Sequence, residues 1–213
     1  MLKVKICGVT SVADALLAAE AGADYIGLIF AKSARCVDTK RAHDVLWNLP
    51  KGVQAVGVFM NQPIDEVRHV LDATGLKIAQ LHGDESPRFC KELGVQVIKT
   101  FDAFNEASLE RLKTYDAYAF LLDHPKGVGV RSPVDPAWAT LAKRHGRVLI
   151  AGKLNAQNVG ELVVRVRPYG VDSCSGTEKS PGVKDPSKVR DFIQAAREAH
   201  KETTKIKIKV RSR

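Results

Sequence analysis

Short apolar, β-branched runs alternate with longer amphipathic segments along most of the chain. The runs read as strands at 3–7 (KVKIC), 24–30 (DYIGLIF), 54–60 (QAVGVFM), 77–81 (KIAQL), 95–101 (VQVIKTF), 117–123 (AYAFLLD), 147–151 (RVLIA) and 169–174 (YGVDSC). The segments between them carry helix signals. Thr10 or Ser11 can cap a helix over 12–21, and Pro63 opens one that Gly75 stops. Pro87 sits in the first turn of a helix ending near Gly94. Asn105 can cap 106–114, Asp135 can cap 136–145, and Asn155 can cap 156–165. Pro186 starts a last helix over 186–200.

Eight strands, one per ~27 residues and each followed by a connection long enough to cross over, predict parallel strands joined by helices. Several strands are apolar on both faces, which suits a sheet covered by helices outside and filled by side chains inside. Eight units is the number of the (β/α)8, or TIM, barrel, and the expected fold is a single α/β domain of that kind over 1–200. A doubly wound open sheet competes, but it usually carries a glycine-rich phosphate turn after its first strand. Here that strand runs into Cys7-Gly8-Val9-Thr10, which is no dinucleotide fingerprint. Residues 201–213 form a basic C-terminal segment whose TTKIKIKVRSR end reads as a solvated tail, with a short strand as the other reading.

Composition narrows the class. With 45% hydrophobic and 27% charged residues the chain is that of a soluble globular protein. No run of about 18 apolar residues offers a membrane span. The start, Met1-Leu-Lys-Val-Lys-Ile-Cys-Gly, lacks a signal-peptide core, so a cytoplasmic location is expected. Four scattered cysteines, Cys7, Cys36, Cys90 and Cys174, show no metal-ligand spacing and fit a reducing compartment. The 201–213 segment holds six Lys/Arg against Glu202 and carries +5 of the formal +9, leaving +4 on the body. That balance suits a small anionic substrate, and no aromatic-basic interleaving supports nucleic-acid binding.

In such barrels chemistry sits where strands end and βα loops begin. The first strand ends in Cys7 and the sixth in Asp123; the second runs out into Ala31-Lys-Ser-Ala-Arg35. The fourth leads to Gln80-Leu-His82-Gly83, the seventh to Ala151-Gly-Lys-Leu-Asn155, and the eighth to Cys174-Ser-Gly176. Lys5-Ile6-Cys7-Gly8, Gln80-Leu81-His82-Gly83, the strand-end Asp123 and Leu154-Asn155-x-x-Asn158-Val159 occur in this order. Gly170-Val171-Asp172-x-x-Ser175-Gly176 and Pro181-Gly182-x-Lys184-Asp185 follow. Together, from residue 3 to about residue 192, they resemble the signatures of the phosphoribosylanthranilate isomerase family.

The resemblance implies an Amadori rearrangement of N-(5-phosphoribosyl)anthranilate in tryptophan biosynthesis, with no cofactor and no metal. Opening the sugar ring needs a general acid at the ring oxygen, and removing the C2 proton then needs a base. A thiol, ordinarily near pKa 8.5, serves as base if nearby charge lowers it; an Asp, ordinarily near 3.9, serves as acid if burial raises it. Cys7 and Asp123 are the pair this assigns. Gly152, Lys153, Ser175 and Gly176, on the loops after strands 7 and 8, are expected around the phosphate, with Gly127 and Gly129 as further contributors. Arg35 offers a fork for the anthranilate carboxylate, and His82 orients a polar group at the rim.

Three departures from the family pattern stand out. Gly152-Lys153-Leu154 replaces Gly-Gly-Leu, Ser33-Ala34-Arg35 replaces Ser-Pro-Arg, and the stretch from Gly127 to Trp138 is longer and altered. They leave open a barrel that merely binds a phosphorylated metabolite. A related sugar-phosphate isomerase of histidine biosynthesis would place a carboxylate where Cys7 stands. Nucleic-acid binding rests only on the basic tail.

Overall fold

The computed structural model describes residues 1–101, 105–124 and 134–211, with backbone alone for 206–211. Eight parallel strands close into a barrel in chain order. They are β1 (Lys3–Cys7), β2 (Tyr25–Ile29), β3 (Gln54–Phe59), β4 (Ile78–Leu81), β5 (Gln96–Phe101), β6 (Ala119–Leu122), β7 (Val148–Ile150) and β8 (Gly170–Ser173). The helices between them are α1 (Val12–Glu20), α2 (Thr39–Asn48), α3 (Ile64–Thr74), α4 (Pro87–Glu92), α5 (Glu106–Leu112), α6 (Pro136–Ala142) and α7 (Val159–Val166). After β8 come a 3-10 turn (Ser175–Thr177), a small hairpin of β9 (Glu178–Ser180) and β10 (Val183–Lys184), and α8 (Pro186–Arg211).

Strand side chains alternate between two destinations. One set faces the helices: Val4, Ile6, Ile26, Leu28, Phe120 and Leu122 belong to the outer core. The other set fills the barrel, where Tyr25, Val56, Ile78, Ile98, Leu121 and Leu149 pack together. The same period of two carries polar groups to the inside of the C-terminal end. Lys5 leads to Cys7, Ile78 to Gln80 and His82, Leu121 to Asp123, and Asp172 to Cys174. The opposite end is shut by Tyr25, Tyr118 and Tyr169, whose hydroxyls lie 2.9–3.2 Å apart. Arg147 covers the rings of Tyr118 and Tyr169 at 4.7 and 5.6 Å from their centroids.

Local signals account for most helix starts. Ser11 caps α1 by accepting from Asp14 N, while the Thr10 hydroxyl donates to Gly182 O at 2.6 Å. Ser86, Asn105 and Asp135 cap α4, α5 and α6. Three elements differ from the sequence reading. That reading names no helix between the second and third strands, yet Asp38 caps α2 there by accepting from Arg41 N; the helix is polar overall and buries Ala42 and Val45. α7 starts at Val159 rather than 156, because the Asn155 carboxamide oxygen accepts from Gln157 N and Asn158 N and folds 155–158 into a turn. The final helix does not end at residue 200: backbone through Arg211 is helical, with neither Gly nor Pro in 187–211 to stop it. The short-strand reading of 203–213 finds no partner strand among the described residues, and local helix propagation decides there.

Candidate active site

A cavity of about 640 Å³ opens at the C-terminal end of the barrel, and every described residue assigned there from sequence except Gly176 lines it. Cys7 and Asp123 face it from β1 and from the end of β6, on different sides of the barrel. Arg35, His82, Gly152, Lys153 and Ser175 complete the wall. The loop with Gly127 and Gly129 lies outside the described residues.

Beneath Cys7 sits an ion pair. The β1–β8 register sets Lys5 opposite Asp172, and Lys5 Nζ lies 3.0 Å from Asp172 Oδ2 with the lysine fully buried. Burial alone would lower the lysine's pKa, but Asp172 and Cys7 outweigh it and the ammonium is held charged. Gly27 makes the room: a Cβ there would stand 2.7 Å from Cys7 Sγ and 3.0 Å from Lys5 Nζ. The Cys7 thiol is pulled down to about 7, first by a hydrogen bond from Cys174, against the opposing effect of burial, and then by the Lys5 charge. The Cys174 thiol is pushed up by the same contact and by its own burial, and so remains protonated. The pair is thus a thiolate-forming sulfur beside a thiol donor.

Asp123 accepts from His124 N through Oδ1 at 2.7 Å, and its Oδ2 lies 3.7 Å from His82 Nε2. Gln80 Nε2 meets His82 Nδ1 at 3.3 Å, which holds the ring between Gln80 and Asp123. Gln80 Oε1 and Asp172 Oδ1 are buried with no protein partner among the described residues. Buried polar atoms of this kind at a cavity floor suit a polar ligand.

The loops after β7 and β8 interlock. Ser173 Oγ donates to Leu154 O at 2.7 Å, and a Cβ at Gly176 would stand 1.9 Å from that same oxygen. Gly176 is therefore present for close backbone approach, behind rather than on the cavity wall. Gly152 has φ +85, and a Cβ there would meet the His124 ring at 2.6 Å. Lys153 holds φ +53, the left-handed region that favours glycine, and Asn158 Nδ2 donates to its carbonyl at 3.2 Å.

Several participants escaped the sequence reading. Glu178 grips Arg35 through two hydrogen bonds of 2.7 and 2.6 Å, to Nε and Nη2. The arginine therefore offers its other edge, Nη1 and Nη2, to a ligand. Lys184 is fully buried and donates to Cys7 O at 2.6 Å and to Cys174 O at 3.0 Å, tying the hairpin to the ends of β1 and β8. Period-two counting along β1 and β8 places Lys5 and Asp172 inside; no local signal exposes the Arg35–Glu178 or Lys184 contacts, which join distant segments.

Fold and site together define a (β/α)8-barrel enzyme equipped to move protons on an anionic small molecule. The sequence model of the N-(5'-phosphoribosyl)anthranilate (PRA) isomerase family matches residues 4–195. The N-(5'-phosphoribosyl)anthranilate isomerase of Pelobacter propionicus is 43% identical over 211 residues, 96% of this chain and 100% of the relative. That of Geotalea uraniireducens is 45% identical over 203 residues, 92% and 99% of the two chains. The crystal structure of the Thermotoga maritima phosphoribosyl anthranilate isomerase superposes with a TM-score of 0.87 at 35% identity, covering 93% of this chain and all of that one. A structure of such an isomerase with reduced 1-(o-carboxyphenylamino)-1-deoxyribulose 5-phosphate has a TM-score of 0.85 at 34% identity, with the same coverage. The chain belongs to the PRA isomerase family and is an isomerase.

Proposed function

We propose that this protein converts N-(5'-phosphoribosyl)anthranilate to 1-(o-carboxyphenylamino)-1-deoxyribulose 5-phosphate, an aldose–ketose isomerisation within one molecule. The observation that carries the reading is the placement of Cys7 and Asp123 on different sides of one cavity, with Cys7 biased toward thiolate. Asp123 gives a proton to the furanose oxygen, and the C1–O bond breaks as the anthranilate nitrogen forms an iminium. The Cys7 thiolate takes the C2 proton, and the electron pair moves to C1 to give an enolamine. Tautomerisation returns a proton to C1 and leaves the C2 ketone, so C2 is oxidised as C1 is reduced.

The anchors follow from the walls. The second edge of Arg35 suits the anthranilate carboxylate, each charge-assisted hydrogen bond contributing about 1.5–3 kcal/mol. Backbone amides about Gly152 and Ser175 suit the phosphate, with Gly176 allowing the two loops to meet. His82 holds the rim beside Asp123. Neither nucleic acid nor a membrane enters this reading, and a cytoplasmic place suits it.

The test is a steady-state assay on phosphoribosylanthranilate generated in situ, followed by anthranilate-type fluorescence. Turnover is expected, and Cys7→Ser and Asp123→Asn should each lower kcat by at least about 10²-fold with folding intact. Tight ligand binding with no turnover would replace this reading with that of a binding-only barrel.

A further inference from the structure

Cys174 has no place in the chemistry above beyond its contact with Cys7. The β1–β8 pairing runs through Lys5↔Asp172 to Ile6↔Ser173, and Cys7 and Cys174 are the residues that follow this last pair on the two segments. Paired strands lie about 4.8 Å apart, so residues that follow directly on their last pair start close to the Cα separation a disulfide spans. Both thiols line the open cavity, and the electrostatics of each sulfur is dominated by the other. Cys174 leaves the strand with φ −114 and ψ −84, so its backbone is released from the flat ladder at that point. Arg35 packs against it: a Cβ on Gly8 would stand 2.7 Å from both Arg35 Cδ and Cys174 Sγ. A sulfur with thiolate character, cations nearby and a second thiol in contact are the elements of a reversible oxidation site.

We propose that Cys7 and Cys174 form an oxidation-sensitive pair that closes to a disulfide on reaction with hydrogen peroxide or a small hydroperoxide. The Cys7 thiolate attacks one peroxide oxygen and the O–O bond breaks, leaving Cys7 as a sulfenic acid and releasing hydroxide, which takes up a proton to become water. Cys174 sulfur then attacks Cys7 sulfur, its proton leaving with the sulfenic oxygen as a second water. The two thiols lose two electrons and two protons, and hydrogen peroxide is reduced to two waters; a hydroperoxide leaves as its alcohol in place of the first water. The disulfide removes the thiolate the isomerisation uses, a consequence that rests on the assignment of Cys7 as base; formation of the bond does not.

The experiment treats the reduced full-length protein with a few equivalents of hydrogen peroxide, blocks remaining thiols with N-ethylmaleimide, and maps cysteine peptides by mass. A cross-link between the Cys7 and Cys174 peptides is expected, with Cys36 and Cys90 alkylated and the cross-link lost after dithiothreitol. Turnover should fall with cross-linking and return on reduction. In Cys174→Ala, Cys7 should instead proceed to the sulfinic acid, which dithiothreitol does not reverse. Four alkylated cysteines after peroxide, a wild-type Cys7 sulfinic acid beside free Cys174, or a cross-link to Cys36 or Cys90 would each overturn the proposal. A Cys7–Cys174 cross-link with undiminished turnover supports the pair and sinks the assignment of Cys7 as base.

Discussion

At the scale of single residues, Cys7 is a reactive group because of what surrounds it. The Cys174 hydrogen bond and the Lys5 charge outweigh burial and bring the thiol down to about 7. The base must be ionised, so kcat/KM should rise with pH and level off above about 7. Cys174→Ala removes the largest of the lowering influences, and its rising arm should move to higher pH in the same kcat/KM profile. An arm that stays in place would take the donor role from Cys174. Lys153 shows the opposite case, a residue whose backbone matters more than its charge. Its left-handed φ costs about 1 kcal/mol, and its side chain is exposed at the rim. Lys153→Gly should change kcat/KM by less than about fivefold at low and moderate salt. A tenfold loss with weaker inhibition by inorganic phosphate would make the ammonium a phosphate ligand.

Elements matter here mainly through the connection from β8 to α8. It is not a simple loop. The 3-10 turn and the β9–β10 hairpin bring Glu178 to Arg35 and Lys184 under the ends of β1 and β8, so loops from three strands share one frame. Gly176 is the contact that lets this connection sit on the loop after β7. Gly176→Ala would force a methyl into Leu154 O and push the two loops apart. Overpacking of this kind costs about 1–3 kcal/mol, which corresponds to a Tm lower by roughly 3–10 °C in calorimetry. KM should rise by about tenfold with a smaller change in kcat, since the displaced amides are proposed to bind rather than react. Wild-type KM in a destabilised variant would move the phosphate elsewhere.

Over the whole molecule, closure of the barrel is reinforced by Asp24. Its carboxylate takes Lys3 Nζ at 3.0 Å, Val4 N at 2.8 Å and Arg197 Nη2 at 2.6 Å, joining the segment before β2 to β1 and α8. Burial opposes its ionisation, but the Val4 amide, Lys3 and Arg197 outweigh burial and the pKa is lowered. A carboxyl lowered in the folded state contributes stability above its unfolded value of about 3.9, and that contribution is lost as pH falls through the folded value. Thermal melts across the acid range should therefore show Asp24→Asn less stable near neutrality, with the gap to wild type closing at low pH. A gap independent of pH would mean that packing, not charge, carries the effect.

Much of this was legible in the chain. Eight strands, their spacing and the period of two along each settle a barrel, because alternation is enforced by backbone geometry and needs no distant partner. Cys7 and Asp123 were placed by the same local rule, as residues at strand ends. α2 was missed although Asp38 marks its start, the continuation of α8 past residue 200 left a weaker mark, and the turn at Asn155 competed with a helix cap of the same chemistry. What the tertiary structure alone decided are the pairings between distant segments: Arg35 with Glu178, Lys184 with the ends of β1 and β8, Cys7 with Cys174. Each partner is an ordinary residue in its own stretch of sequence. Closure of β1 against β8, with the hairpin that follows β8 folding back over the strand ends, brings them together and lowers the pKa of the Cys7 thiol.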